Sequence, residues 1–417
     1  MADAEDALAQ VFREEWPKLI AAAFRVVGDL QAAEDVVQDS LVTALDRWPL
    51  QGLPDRPGAW LMTVCRNRAR NVVRDTGRQQ RRSESLRRLP PDQAGLDAGQ
   101  PQIADDQLRL IVMCCHPLLP ADAQVALTLR MVAGLTTEEI ARAFHLPATA
   151  IAQRIVRAKR TLRQHGVTFD ADWVDIRDRL GSVLDVIYLA FNEGYLPGSG
   201  QTVTRRDLSR EAHRLACMLT EFAPEEGDAW SLRALLSFQL SRWATRAGPD
   251  GALLTLEAQD RDQWDRALIA DGISALAQAR AGGRSALLLQ AELAACHATA
   301  SSFAATDWQA IVKLYEELTS MQASPVVALN RAVAVAMADG PEAALPLLDQ
   351  LADDPSLRDS HRVWAVRADL HQRAGDTAAA LADYDRALEL VSNQAERRYL
   401  ITKKGQDNAI RRAHRHR

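Results

Sequence analysis

Aromatic side chains are scarce in this sequence. Phe, Trp and Tyr make up 5% of 417 residues, although 47% of the chain is apolar. Ala and Leu therefore carry most of the apolar content, a balance that favours packed helices over sheets. Cysteine is also sparse. Cys65, Cys114, Cys115, Cys217 and Cys296 are odd in number and have neither the spacing of a disulfide frame nor that of a zinc knuckle. A reducing cytoplasm suits them. Long apolar runs are missing too: no stretch of about 18 apolar residues exists to span a membrane. The acidic segment Met1–Ala9 is no signal peptide. There is no glycine-rich phosphate loop, metal-binding His pair or nucleophile elbow. Neither a metal, a cofactor nor an enzymatic activity is expected. Cys114-Cys115-His116 could suggest a metal or redox site, but Leu108, Ile111, Val112 and Cys115 share a helical face, so Cys115 belongs to a core. Glu193, in Phe191-Asn192-Glu193-Gly194-Tyr195, reads as a turn residue before Gly194 rather than a catalytic acid.

What is present is uneven charge. The formal net charge is -5, which by itself argues against a nucleic-acid partner. Residues 1–55 hold 4 basic and 11 acidic side chains, whereas residues 56–88 hold 10 basic and 2 acidic. Residues 142–163 hold 6 basic and no acidic, and the chain from Val167 onward holds 28 basic and 35 acidic. A solvated helix face normally mixes both signs. Two concentrated basic segments in an acidic chain are footprints for a polyanion.

The periodicity predicts an all-α protein in three parts. Residues 1–80 form several helices, among them Ala32–Trp48, with a loop from Pro49 to Pro57 and a new helix opening on Pro57. Residues 81–104 read as a linker, 105–166 as a second helical domain and 167–417 as a helical repeat domain. In the last, Trp364, Ala368, His371, Ala380, Tyr384 and Ala387 fall at the spacings of a tetratricopeptide repeat. Ala328, Ala332, Val335, Ala344, Leu348 and Leu351 repeat the pattern about 36 residues earlier. Asp339-Gly340 and Gly375-Asp376 mark the turns within each pair.

The most informative segment runs from Thr136 to Arg163. Thr136 or Thr137 can cap a short helix with Glu139 in its first turn. His145-Leu146-Pro147 makes a turn, and a second helix starts near Ala148 with Ile151, Ile155, Ala158 and Leu162 on its apolar side. The other side carries Thr149, Gln153, Arg154, Arg157 and Arg160. This is a helix-turn-helix with a basic second helix. Arg and Gln on such a helix can read base edges in the major groove, while Lys159 and Arg163 meet phosphate. The other basic segment, from Pro57, has an apolar stripe of Leu61, Val64, Cys65, Val72 and Val73. Thr63, Asn67, Arg70, Asn71, Arg74 and Arg78 line its polar side, with Trp60 nearby. That set suits a partly single-stranded target, where bases stack and cations follow the backbone.

Together these segments resemble a known family. Glu34-Asp35-Val36-Val37-Gln38-Asp39 followed by Ala44-Leu45-Asp46-Arg47-Trp48 is similar to the polymerase-binding helix of sigma-70 proteins. Ala59 to Ala69 resembles their promoter −10 helix, and the helix-turn-helix resembles their −35 reader. With no separate region between the two, the pattern is that of an extracytoplasmic-function sigma factor. The resemblance implies a sigma region 2 domain at 1–80 and a sigma region 4 domain at 105–166. It also implies that Asp35, Gln38 and Asp39 dock on the clamp of the beta-prime subunit of core RNA polymerase. The promoter −10 and −35 elements would be the DNA partners. Phe191–Tyr195, Gln259–Asp265 and Ser324–Ala332 look like the C-terminal extension of one sigma subgroup, which implies regulation in cis and a possible protein partner for the tetratricopeptide-like domain. An acidic tail could cover the basic helices or hold them apart. A DNA-binding regulator that never joins polymerase would keep the Arg154 helix but have no use for the 30–48 helix.

Overall fold

The computed structural model is helical throughout, with no strand among the described residues. It describes residues 2–83, 100–144, 146–167, 173–195, 203–246, 254–322, 324–354, 360–391 and 396–405, with Gly248 and Leu357. The side chains of 2–14, 76–83, 100–105, 108, 142–143, 173–178, 193–195 and 203–207 are outside the description. So is most of the expected linker.

The chain divides into two compact units, residues 1–194 with 204–222, and residues 195–203 with 223–417. The first opens with α1 (Ala2–Val27), α2 (Leu30–Gln51) and α3 (Pro57–Ser83). α1 packs on both of the others and on α4 (Gln100–Cys114). Leu19, Ile20 and Ala23 of α1 are fully buried, as are Val37 and Ala44 of α2 and Leu61, Cys65 and Ala69 of α3. The spacing of four along α3 shows why an otherwise basic helix packs here: one narrow apolar stripe faces inward. Asp29 caps α2, accepting from the Ala32 amide at 2.9 Å. The expected loop at Pro49 starts later, because the helix runs on through Pro49 to Gln51. Pro49 disturbs only its last turn. The helix stops where Gly52 takes φ +84° and donates to the Trp48 carbonyl.

α4 leads into α5 (Ala121–Met131), α6 (Thr137–Ala143) and α7 (Ala148–Gln164). Thr136 and Glu139 form a reciprocal capping box at α6: the Glu139 amide donates to Thr136 Oγ1 at 3.1 Å, and the Thr136 amide to Glu139 Oε2 at 2.7 Å. Cys114 and Cys115 are wholly buried. Burial pushes the Cys115 thiol up to about 12 and Cys114 well above its ordinary value. The two cysteines are core residues. α8 (Trp173–Tyr195) and α9 (Val203–Phe222) complete the unit, joined where Ser209 donates to the Phe191 carbonyl. The Glu193 side chain falls outside the description.

The second unit holds α10 (Gly227–Ser241), α11 (Arg266–Ala279), α12 (Ala286–Thr299), α13 (Trp308–Met321), α14 (Pro325–Asp339), α15 (Pro341–Asp353), α16 (His361–Arg373) and α17 (Thr377–Leu390). Successive helices pack on one another, as a helical repeat requires. Eight of the twelve repeat positions read from the sequence are core, and Ala328, Leu351, Trp364 and His371 are half-buried. Ala368, Ala380, Tyr384 and Ala387 are buried around α16 and α17, and Ala332, Val335, Ala344 and Leu348 around α14 and α15. Gly340 and Gly375 sit at φ +98° and +86° in the turns. The Gln259–Asp265 motif is a staple. Arg261 is buried, donates to the carbonyls of His297 (2.5 Å) and Ala300 (2.9 Å) at the end of α12, and lies 4.6 Å over the Trp264 ring. Trp264 Nε1 donates to Thr245 Oγ1, and Asp265 caps α11.

Candidate functional site

The sequence-predicted residues gather on three helices of the first unit. On α2, Asp35, Gln38 and Asp39 are exposed at spacings of three and four. Gln31 donates to Asp35 at 2.9 Å, and Arg68 of α3 donates to Asp39 at 3.2 Å. On α3, Thr63, Asn67, Arg70, Asn71 and Arg74 are exposed along one side. Arg74 donates to Asn71 at 3.0 Å. The Arg78 side chain lies outside the described residues. Trp60 is half-buried and stands edge-on to Trp48, with ring centroids 5.5 Å apart.

On α7, Thr149, Gln153, Arg157 and Arg160 are exposed and share a face, with Val156 beside them. Arg154 is half-buried and paired with Asp122 of α5 at 3.0 Å. The other two cations of the expected set are turned elsewhere. Lys159 is only 7% exposed and is ion-paired to Glu34 of α2. Arg163 is exposed but holds Asp29 with two hydrogen bonds, one at 2.6 Å.

Glu34 is the residue that reading the sequence missed. It sits on the inner stripe of α2 with Leu30, Ala33, Val37 and Ala44, only 5% exposed, and accepts from Arg130 Nε at 2.6 Å as well as from Lys159. An acid in phase with an apolar stripe is the signal that could have found it, since a buried carboxylate must be paired. Burial would raise the Glu34 pKa, but the Lys159 and Arg130 charges outweigh it and hold the carboxyl below its ordinary value. Asp29 is lowered in the same way, burial opposed chiefly by its hydrogen bond with Arg163. Around this centre Arg25 of α1 holds Asp106 of α4 in two bonds of 2.9 and 3.0 Å. Trp16 Nε1 donates to the Arg130 carbonyl at 3.1 Å. A Cβ on Gly134, which has φ +67°, would come 3.1 Å from the Trp16 ring.

A three-helix domain with an exposed acidic helix and an Asn/Arg-lined one, joined to a helix-turn-helix with a basic outer face, defines a promoter-recognition protein of the sigma-70 type. The family models agree: Sigma-70 region 2 matches residues 11–79 and Sigma-70, region 4 matches 109–162. A family of unknown function (DUF6596) matches 179–280. The chain is 32% identical over 177 residues to the ECF RNA polymerase sigma factor SigL of Mycobacterium tuberculosis, covering 40% of this chain and 96% of that one. It is 30% identical over 156 residues to the RNA polymerase sigma-H factor of Pseudomonas aeruginosa, covering 35% and 78%. An uncharacterized protein of Rhizobium meliloti is 38% identical over 397 residues, 92% of either chain. The chain belongs to the ECF family of RNA polymerase sigma factors and carries a long helical C-terminal extension.

Proposed function

We propose that this sigma factor docks on the beta-prime clamp of core RNA polymerase through Asp35, Gln38 and Asp39, and reads its promoter with two helices of the first unit. Thr149, Gln153, Arg154, Arg157 and Arg160 read the −35 duplex. Trp60, Thr63, Asn67, Arg70, Asn71, Arg74 and Arg78 hold the −10 strand as it opens. Melting costs a few kcal/mol per flipped base, about what base pocketing and stacking return. The polymerase supplies the nucleotide chemistry, in the cytoplasm, and the sigma chain contributes positioning. The observation that supports this reading best is the acid-free exposed face of α7, where Gln153, Arg157 and Arg160 stand in line. The C-terminal helical repeat acts in cis as a regulator required for full activity.

Asp35→Lys with Asp39→Lys tests the docking face. Both side chains are exposed, so the fold should survive and the helical content stay unchanged. Co-elution with core polymerase should disappear. A double variant that still co-elutes at normal affinity refutes the assignment.

A further inference from the structure

We propose that the region 4 domain is held against the region 2 domain by a charge latch centred on Glu34, and that polymerase engages the chain while this latch is still closed. The proposal rests on the sigma-factor reading and adds an order of events to it.

Among the described residues, three of the four ion pairs that join the two domains converge on α2 and its cap, beside the packing of α1 on α4 and of Trp16 on Arg130 and Gly134. Glu34 and Asp29 come from α2 or its cap, and Arg130, Lys159 and Arg163 come from beyond residue 105. Arg25–Asp106 runs with opposite polarity at the edge. Lys159 also donates to Gln31 at 3.0 Å, so its ammonium has two acceptors from the same helix. Buried ion pairs contribute little net stability compared with apolar packing of the same volume, yet they fix one geometry. That is the profile of a reversible clasp. Promoter phosphates compete for the same cations: when the clasp opens, Lys159 and Arg163 lose their carboxylate partners and become available to phosphate beside the face formed by Arg157 and Arg160.

One helix serves two customers. Successive residues on an α-helix point about 100° apart, so Asp35 looks outward while its neighbour Glu34 looks in. Asp35, Gln38 and Asp39 stay exposed with the latch closed. The clamp can therefore seize α2 before region 4 is free. Docking comes first, separation of the domains second, and full −35 binding last.

The test uses the full chain with Glu34→Gln, which keeps the shape and removes the charge. Three quantities are read: amide hydrogen exchange over residues 148–164, affinity of the free chain for −35 duplex, and affinity for core polymerase. Exchange and duplex affinity should each rise about tenfold or more, the change expected from a loss of one strong ionic bond. Core binding should stay within about twofold. Unchanged exchange and duplex affinity overturn the latch. Loss of core binding overturns the order of events, because Glu34 would then belong to the docking face. The outlying pair guards against a merely loosened fold. Arg25→Asp should raise exchange over residues 148–164, and adding Asp106→Arg should restore protection. If the single and double variants exchange alike, the latch is refuted. A wild-type chain that does not bind core polymerase at all fails the sigma reading instead, and the exchange data still decide whether the domains are clasped.

Discussion

Lys159→Ala separates two roles that one side chain holds in different states. In the free chain it is buried against Glu34. Removing it deletes a charge-assisted hydrogen bond worth about 1.5–3 kcal/mol, while Arg130 still satisfies the carboxylate. The closed–open balance should then shift by roughly ten- to a hundredfold toward open. Against that stands one lost phosphate contact. Such a contact carries about 0.9 log units of affinity per decade of salt, roughly fivefold at 0.15 M. In the free chain the latch effect wins, and binding to a −35 duplex should tighten by roughly two- to twentyfold. In holoenzyme, where the domains have already parted, only the phosphate contact is lost. Binding there should weaken about fivefold, equally for all sequences, with a salt slope shallower by about 0.9. Fluorescence anisotropy titrations across a salt series, run on free chain and holoenzyme side by side, measure both. Equal weakening in the two settings refutes the reasoning, because Lys159 would then have nothing to release.

Gly272→Ala in α11 should destabilise the second unit by about 1 kcal/mol despite better helix propensity. The added Cβ would lie 2.6 Å from Phe238 Cε1, in a ring that is 1% exposed and has nowhere to turn. Urea denaturation reads the effect, and a stabilised variant would contradict the close approach of α10 and α11. Truncation after Phe222 tests the tail. α8 and α9 cluster with the sigma domains, so this cut removes the repeat without breaking the first unit. The shortened chain should bind core polymerase yet transcribe weakly in run-off assays. Transcription equal to the full chain would remove any regulatory role for the repeat.

Period and capping chemistry made much of the fold legible. The Thr136–Glu139 box and the core positions around Ala368 and Ala380 follow from local spacing. Of the expected stripe on α3 only Leu61 and Cys65 are buried; Val64 is half-buried, Val72 and Val73 are exposed, and Ala69 completes the inner face. What spacing does not carry is the partner of each face. Lys159 and Arg163 read as solvent-facing cations on a basic helix, because nothing local tells of an acid 125 or 134 positions away. Within the acidic stretch Asp35, Gln38 and Asp39 share the outward face that their spacing implies, while their neighbour Glu34 turns in. Pro49 failed as a stop signal: the helix runs on to Gln51 and ends only where Gly52 takes a positive φ. The Gln259–Asp265 motif stood out only by family resemblance, and its conspicuous Arg and Trp serve as internal bonds between helix ends.

The two clasped domains are also tethered, and the tether changes what a weak contact can do. Between Ser83 and Gln100 the chain can stretch at most about 3.5 Å per residue, roughly 60 Å in all. Each domain therefore meets the other at an effective concentration on the order of millimolar, however dilute the protein is. Contacts too feeble to join two separate proteins at cellular concentrations can then keep one chain mostly closed. Polymerase and promoter have only to outbid a modest local affinity. The same two domains supplied as separate polypeptides should show almost no attraction for each other below that concentration.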